Sequence, residues 1–232
     1  MTFQSRDSNS LPVSRGFSGS STRAASGHAP NPIIAPFASG IVLEAVRGVT
    51  RSRHAQLGSS PALSRLFDAE YTILEYRAHL GRLLGFFEPL ENAVACAAEP
   101  ADPVRALARS SALRDDLSIM GATTHEIDSL ERCCWLTPIE PDGIYGYAYV
   151  ILGSMMGGKI IVKRLRAILG PTASFHFYGD GNGRSEALWA SFCADLERRG
   201  NENVEAICAT AVRIFDAYSA WLSEPYLRAS NH

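Results

Sequence analysis

The feature that most constrains the fold is a helical spacing of apolar residues that runs from Ile41 almost to the end of the chain. Apolar residues recur there at intervals of three and four, in long stretches rich in Ala, Leu, Glu and Arg. This pattern is typical of amphipathic α-helices. Neither a convincing alternating strand nor an internal repeat accompanies it. The sequence therefore predicts an all-α fold.

Clusters of glycine and proline divide this helical region. They lie at residues 58–61, 89, 100–103, 137–143, 170–171, 179–183 and 200–203. Because such residues end helices, they predict roughly eight helices. Thr123, followed by Glu126 three residues later, predicts a capping box at the start of a short helix.

The amino-terminal region differs in composition from the rest. Residues 1–38 are mostly Ser, Gly, Arg and Pro with scattered apolar side chains, which bury too little surface to offset the entropy of ordering. We therefore divide the chain into a disordered extension (residues 1–38), a single helical domain (residues 39–225) and a short tail (residues 226–232).

Charge and cysteine content exclude several classes of protein. The formal net charge of −2 leaves no basic excess for nucleic acid. The uncharged run at residues 143–158 holds five glycines and is too short to span a bilayer. The five cysteines include no Cys-x-x-Cys pair, which favours reduced thiols over disulfides or zinc. We therefore expect a cytoplasmic protein that binds neither nucleic acid nor a membrane.

A first group of candidate site residues surrounds His54. On a helix, Arg47, Arg51 and His54 share one stripe beside an apolar stripe. An imidazole can ligate iron, arginines can bind carboxylates and an apolar wall can contact a planar ring, so the group suits a macrocycle with carboxylate tails. The alternative is a surface histidine on an arginine-flanked helix, and His176 is the other histidine that competes for the role of ligand.

A second group is the strip Gly153, Ser154, Gly157 and Gly158, which is almost without side chains if it is helical. These residues nearly match a Walker A motif, but Ile160 stands where Ser or Thr is needed, and apolar periodicity continues through the glycines. We therefore reject a nucleotide site. The strip admits close approach either of another helix or of a planar ligand to bare backbone, and the spacing leaves both open.

Together, these segments resemble a known family. Residues 46–54 (VRGVTRSRH) resemble the proximal helix of heme oxygenases, and residues 152–158 (LGSMMGG) resemble their glycine-rich distal helix. With further segments at 86–91 and 175–178, the resemblance covers about residues 40–222. Among the members of this family, the sequence is similar to the bacterial biliverdin-forming enzymes that supply chromophore to bacteriophytochromes. It implies a single-domain, multi-helix heme oxygenase-like fold with the ligand sandwiched between the proximal and distal helices.

The resemblance implies a role for each basic candidate. His54 matches the axial ligand of the heme iron. Arg47 and Arg51 match basic positions that face the heme propionates, and Arg184 is the candidate for a further basic partner in the carboxy-terminal part. Gly58 stands where some relatives carry an acidic residue that supports the axial histidine.

The resemblance also implies a role for the strip at 153–158. Gly153, Gly157 and Gly158 match the distal glycines, under which O2 would bind the iron opposite the histidine. Ser154 stands where animal members carry an aspartate that organises water, and bacterial members commonly have Ser there. We therefore expect these four residues to act directly on the reaction, through the space and the water that they provide.

The activity implied by the resemblance is cleavage of heme to biliverdin, CO and ferrous iron, with heme as both cofactor and substrate. An external electron donor, a reductase or a ferredoxin, is expected because the sequence has no flavin, dinucleotide or iron–sulfur motif. A bacteriophytochrome is the expected acceptor of the biliverdin. The alternatives are a non-catalytic heme carrier or sensor and a helical interaction protein, and the fold also hosts thiaminase-like and quinone-cofactor enzymes.

Overall fold

The computed structural model describes residues 40–98, 103–179 and 184–229, with side chains omitted at 103, 184 and 224–229. This part of the chain has no strand, which confirms the all-α prediction. Its α-helices are α1 (Ile41–Gly58), α2 (Pro61–Ser64), α3 (Ile73–Ala97), α4 (Ser110–Ile119), α5 (Thr124–Ser129), α6 (Ile144–Leu169), α7 (Arg184–Arg199) and α8 (Val204–Ala229).

Most of the predicted boundaries are confirmed. α1 ends at Gly58, α6 begins after the 137–143 cluster, and α7 begins after the 179–183 cluster. The Thr123–Glu126 capping box opens α5. α8 continues to Ala229, beyond the predicted domain end at residue 225, and the predicted extension at 1–38 lies outside the described residues. None of the helices described is long and apolar enough to cross a membrane.

Pro89 does not end a helix, so this prediction is wrong. It lies inside α3, where a proline leaves the carbonyl four residues earlier without its helical partner. That carbonyl belongs to Gly85, and the backbone N–H of Cys133 donates to it at 2.8 Å. A side chain at position 85 would overlap the Glu131 carbonyl and lie 2.7 Å from the Trp221 ring. The glycine thus lets a distant segment supply the donor that the proline lacks.

The start of α1 is capped from another helix. Its N-cap residue is Gly40, which has no side chain to accept hydrogen bonds. The carboxylate of Glu197, on α7, accepts from the backbone N–H groups of Val42 at 3.3 Å and Leu43 at 2.8 Å. A negative charge at this end also interacts favourably with the helix dipole. Glu197 therefore fixes the beginning of α1 against α7.

α8 packs along both α1 and α6 and so provides their common support. The buried residues of the three helices include Val42, Leu43 and Val46 on α1, Ile144, Tyr147 and Ile151 on α6, and Ile207, Ala211 and Ile214 on α8. Gly146 lets α6 approach α8 closely, since a Cβ there would overlap the Ile207 carbonyl and lie 3.0 Å from the Thr210 Cβ. Helix packing therefore explains this glycine.

Buried polar groups hold the loop formed by residues 174–179, between α6 and α7. The carboxylate of Asp116, fully buried on α4, accepts from the Ser174 hydroxyl at 2.5 Å and from the backbone N–H groups of His176 at 2.7 Å and Phe177 at 2.9 Å. The Tyr76 hydroxyl donates to the Ser174 carbonyl at 3.2 Å. These bonds satisfy the buried carboxylate and fix the loop against α3 and α4.

His79, buried on α3, binds the end of the same loop. Its Nε2 lies 2.7 Å from the Tyr178 hydroxyl, at hydrogen-bond distance. Burial lowers the pKa of His79 to about 4, so the imidazole is neutral at pH 7. A neutral ring can remain buried here because the tyrosine supplies its hydrogen-bond partner.

This buried histidine predicts an acid-sensitive fold. The unfolded histidine takes up a proton near its ordinary pKa of 6.5, whereas folded His79 does so only near 4. Between these values the unfolded chain binds more protons, so the folded state loses stability as the pH falls. We expect His79→Gln to reduce the loss of unfolding free energy between pH 7 and pH 5 by ~2 kcal/mol, measured by denaturant unfolding.

His125→Gln is the matched control, because His125 is exposed on α5. This variant should keep the pH dependence of the wild-type protein. If His79→Gln kept it as well, the acid sensitivity would not originate at His79.

Candidate functional site

A hydrogen bond joins α1 to α6 beside both predicted groups of site residues. Thr50 Oγ1 and the Tyr149 hydroxyl oxygen are 3.2 Å apart. Thr50 precedes His54 by one helical turn, and Tyr149 precedes Gly153 by one turn, a rise of ~6 Å in each helix. Two segments that are 99 residues apart in sequence thus lie next to one shared contact.

His54 combines an accessible edge with a supported ring. Its side chain is exposed, yet the ring packs edge-on against Phe215 of α8, with centroids 6.1 Å apart and planes at 73°. Neighbouring atoms remove enough water to lower the pKa of His54. The imidazole is therefore neutral at pH 7 and offers a nitrogen lone pair to a ligand. Within the described ranges, no cluster of three or more His, Cys, Asp or Glu could hold a metal ion.

The arginines of α1 differ in their surroundings. Arg47 and Arg51 lie on the same side of the helix as His54, whereas Arg53 is rotated away by about 100°. The Arg47 side chain is 17% exposed and its Nη1 donates to Glu44 at 3.0 Å. Arg51 is exposed, and Arg53 donates to Asp216 on α8 at 2.7 Å. Two positive charges therefore accompany the imidazole.

Two other predicted residues lie elsewhere. Arg184 begins α7, and its side chain lies outside the described part of the structure. His176 belongs to the 174–179 loop, where Asp116 holds its backbone N–H; its Nδ1 lies 3.8 Å from the same carboxylate and its side chain is 58% exposed. The role of Arg184 thus stays a prediction, and His176 is tied to Asp116.

The glycines at 153–158 have two different environments. A Cβ at Gly153 or Gly157 would meet no atom within 4 Å, whereas a Cβ at Gly158 would lie 2.7 Å from the Tyr178 carbonyl oxygen. Gly158 therefore lets the 174–179 loop pack against α6. Gly153 and Gly157 leave bare backbone beside open space. The sequence left open whether a helix or a planar ligand approaches this strip. At Gly158 the neighbour is a loop, and at Gly153 and Gly157 the space is open.

Ser154 lies beside this open surface and is itself exposed. Its hydroxyl donates to the Ile151 carbonyl of the preceding turn at 2.7 Å. Since a serine hydroxyl has one hydrogen, the remaining lone pairs of Ser154 can only accept. A water bound to Ser154 would therefore donate to it.

Four residues around the site were not predicted from the sequence as parts of it. Thr50 and Tyr149 each lie one turn from a predicted residue, so helical spacing could have found them. Phe215 comes from α8 and the contact of Tyr178 with Gly158 comes from a loop. No local pattern indicates either contact, because tertiary packing alone creates it.

The two glycine environments predict opposite effects on stability. Gly158→Ala must displace a backbone carbonyl, and we expect it to lower the free energy of unfolding by ~1–3 kcal/mol. Gly153→Ala and Gly157→Ala place a methyl group in open space and favour the helix, so each should raise it by ~0.5–1 kcal/mol. Denaturant unfolding of the ligand-free protein measures all three. A change of the same sign in all three variants would contradict the distinction.

Known proteins resemble this chain in sequence and in fold. A family model described as heme oxygenase matches residues 42–224. Similar solved structures include heme oxygenase-1 from the cyanobacterium Synechocystis in complex with heme, with 15% identity, a TM-score of 0.61 and coverage of 82% of this chain and 96% of that one. Heme oxygenase from Leptospira interrogans is similar too, with 19% identity, a TM-score of 0.62 and coverage of 79% and 98%. No curated protein matches the sequence. Because the family match spans most of the chain, the chain belongs to the heme oxygenase family.

Proposed function

We propose that this protein cleaves heme to biliverdin, CO and ferrous iron, using O2 and electrons from an external donor. Membership of the family and the shared fold support heme degradation in general. The observation that carries the proposal is the Thr50–Tyr149 contact. It joins the α1 turn before the neutral His54 imidazole to the α6 turn before the bare backbone at Gly153. The bound heme supplies the iron and macrocycle at which oxygen chemistry occurs.

The residues present fit heme. His54 offers a neutral imidazole, the usual form of a histidine ligand to iron. Gly153 and Gly157 leave space for a flat ring to lie against the helix backbone. Arg47 and Arg51 place positive charge on the His54 side of α1, which suits the propionate groups. His54 would hold the heme iron, and the open space beside the two glycines would accommodate the ring.

The side chains around this space have distinct tasks. Phe215 packs edge-on against the His54 ring and would favour one orientation of the imidazole. The largely covered Arg47 is held by Glu44, whereas the exposed Arg51 can adjust to its ligand. A water that donates one hydrogen to Ser154 keeps its other hydrogen for the ligand side. Ser154 would thus direct a proton through water rather than donate its own.

We also propose an external reductase or ferredoxin as the electron donor and a bacteriophytochrome as the acceptor of biliverdin. The first rests on the absence of flavin, dinucleotide and iron–sulfur motifs from the sequence. The second rests on the resemblance of the proximal and distal segments to bacterial biliverdin-forming enzymes.

Spectroscopy tests the proposed reaction and the axial ligand together. Protein mixed with hemin should develop a Soret band, and a reductant in air with catalase present should convert it to a biliverdin spectrum. We expect His54→Ala to lower turnover by more than about 100-fold, since the iron loses its protein ligand. Thermal unfolding of the ligand-free variant should stay near wild type, because the His54 side chain is exposed.

His176→Ala is the matched control and should keep the activity. Stable heme without conversion would instead indicate a carrier or sensor, and failure to bind hemin would indicate an interaction protein. Activity that survived in His54→Ala and disappeared in His176→Ala would move the axial ligand to His176.

Neighbouring arginines provide a second comparison. Arg51→Ala removes a charge from the His54 side of α1, so we expect hemin affinity to fall by roughly 3- to 10-fold, or the ratio of biliverdin isomers to change. Arg53→Ala breaks an ion pair with Asp216 on another side of the helix and should leave both unchanged. Hemin titration and product chromatography measure these effects. No difference between the two variants would remove Arg51 from the site.

A further inference from the structure

The contact between Thr50 and Tyr149 has a defined direction. Thr50 Oγ1 lies 2.7 Å from the Val46 carbonyl oxygen, which can only accept, so the threonine hydrogen is used there. The Tyr149 hydroxyl must therefore donate to Thr50. Burial raises the pKa of Tyr149, so its hydrogen is retained at neutral pH. The result is a continuous series of hydrogen bonds from Tyr149 to Thr50 to the backbone of α1.

Both ends of this contact are held in place. Thr50 is 1% exposed, and its branched side chain has few rotamers on a helix. Tyr149 is half-buried, and its ring packs against Trp189 of α7 with centroids 5.9 Å apart. Two immobilised side chains form a stiffer connection than two long side chains at the surface would.

The Thr50–Tyr149 contact lies one helical turn from the proposed site, where the spacing between α1 and α6 determines the room for a ligand. The next turn of α6 carries Gly153, where a side chain would meet nothing within 4 Å. Side-chain packing at Gly153 or Gly157 therefore does not contribute to the spacing, which rests on the packing of both helices on α8 and on contacts in the neighbouring turns. Thr50 and Tyr149 occupy the adjacent turn of each helix.

We propose that Thr50 and Tyr149 are positioning residues whose hydrogen bond, together with the packing of both helices on α8, sets the separation of His54 from the backbone at Gly153 and thereby the orientation of bound heme. The inference rests on the proposed function. Its consequence is that loss of the bond lets heme adopt several orientations, which lowers its affinity and mixes the biliverdin isomers. Neither residue needs to touch the reacting atoms.

Conservative variants test this role. Tyr149→Phe and Thr50→Val remove the bond with little change in shape, whereas Thr50→Ser keeps the accepting hydroxyl. Tyr145→Phe is the matched control on the same helix, because the Tyr145 hydroxyl bonds Asp195 of α7 at 2.5 Å instead of α1. Each variant is compared by hemin titration, product chromatography and thermal unfolding without ligand.

We expect Tyr149→Phe and Thr50→Val each to weaken hemin binding about 5- to 10-fold, the equivalent of one net hydrogen bond. Each should also convert a dominant biliverdin isomer into a mixture. Thr50→Ser and Tyr145→Phe should stay within about twofold of wild type. The Thr50→Val/Tyr149→Phe double variant should be no worse than either single variant, because both remove the same bond.

The outcomes separate this inference from the proposed function. If the wild-type protein failed to bind or convert hemin, both would be overturned. If wild type converted hemin while Tyr149→Phe and Thr50→Val changed only the unfolding temperature, the contact would be structural and the positioning role wrong. The role would be equally wrong if Thr50→Ser behaved like Thr50→Val, or if Tyr145→Phe behaved like Tyr149→Phe.

Discussion

The packing of α1 and α6 on α8 is the constraint on which the candidate site depends. α1 contributes the imidazole, α6 contributes the bare backbone, and α8 supports both along buried apolar surfaces. Burial of large aliphatic side chains at such contacts stabilises the fold by ~2 kcal/mol each. Phe215 extends this support to the site itself, because it contacts the His54 ring from α8. The same packing thus stabilises the protein and orients its candidate iron ligand.

The fold could be predicted from the sequence to the extent that local signals determine it. Apolar periodicity indicated helices, and the capping box at Thr123 was readable because both of its partners lie within four residues. Pro89 shows the limit of such signals. Its helix survives because Cys133, more than forty residues away, donates to the carbonyl that the proline leaves free. A local rule cannot include a donor that only the folded chain brings near.

The candidate site, like the fold, could be predicted only where local signals determine it. His54, Arg47, Arg51 and the glycines could be selected from spacing and resemblance, because each group lies within one or two helical turns. Which glycines face open space could not be predicted, because Gly158 differs from Gly157 only through the Tyr178 carbonyl packed against it. The Thr50–Tyr149 contact was also absent from the prediction, since each residue taken alone looks like an ordinary helical residue.

The distribution of glycines on α6 shows how structural and functional demands share one helix. Each glycine within a helix costs on the order of 1 kcal/mol relative to alanine. At Gly146 and Gly158 the close approach of neighbouring backbone offsets this cost, since a side chain there would overlap it. Gly153 and Gly157 have no such compensation in the described structure, because their Cβ positions are empty. The cost at these two positions fits the proposed heme site, because a flat ring can approach the helix only where the backbone carries no side chain.

The hydroxyl groups of the two helices share a feature that affects how protons could reach the site. Thr50 donates to the Val46 carbonyl and Ser154 donates to the Ile151 carbonyl, each within its own helix. Both side chains are consequently acceptors toward everything else. Tyr149 donates to Thr50, so the hydroxyl hydrogens of Thr50, Ser154 and Tyr149 are all used within the protein. A water bound to Ser154 would donate one hydrogen to it, so acceptors on the protein would orient that water.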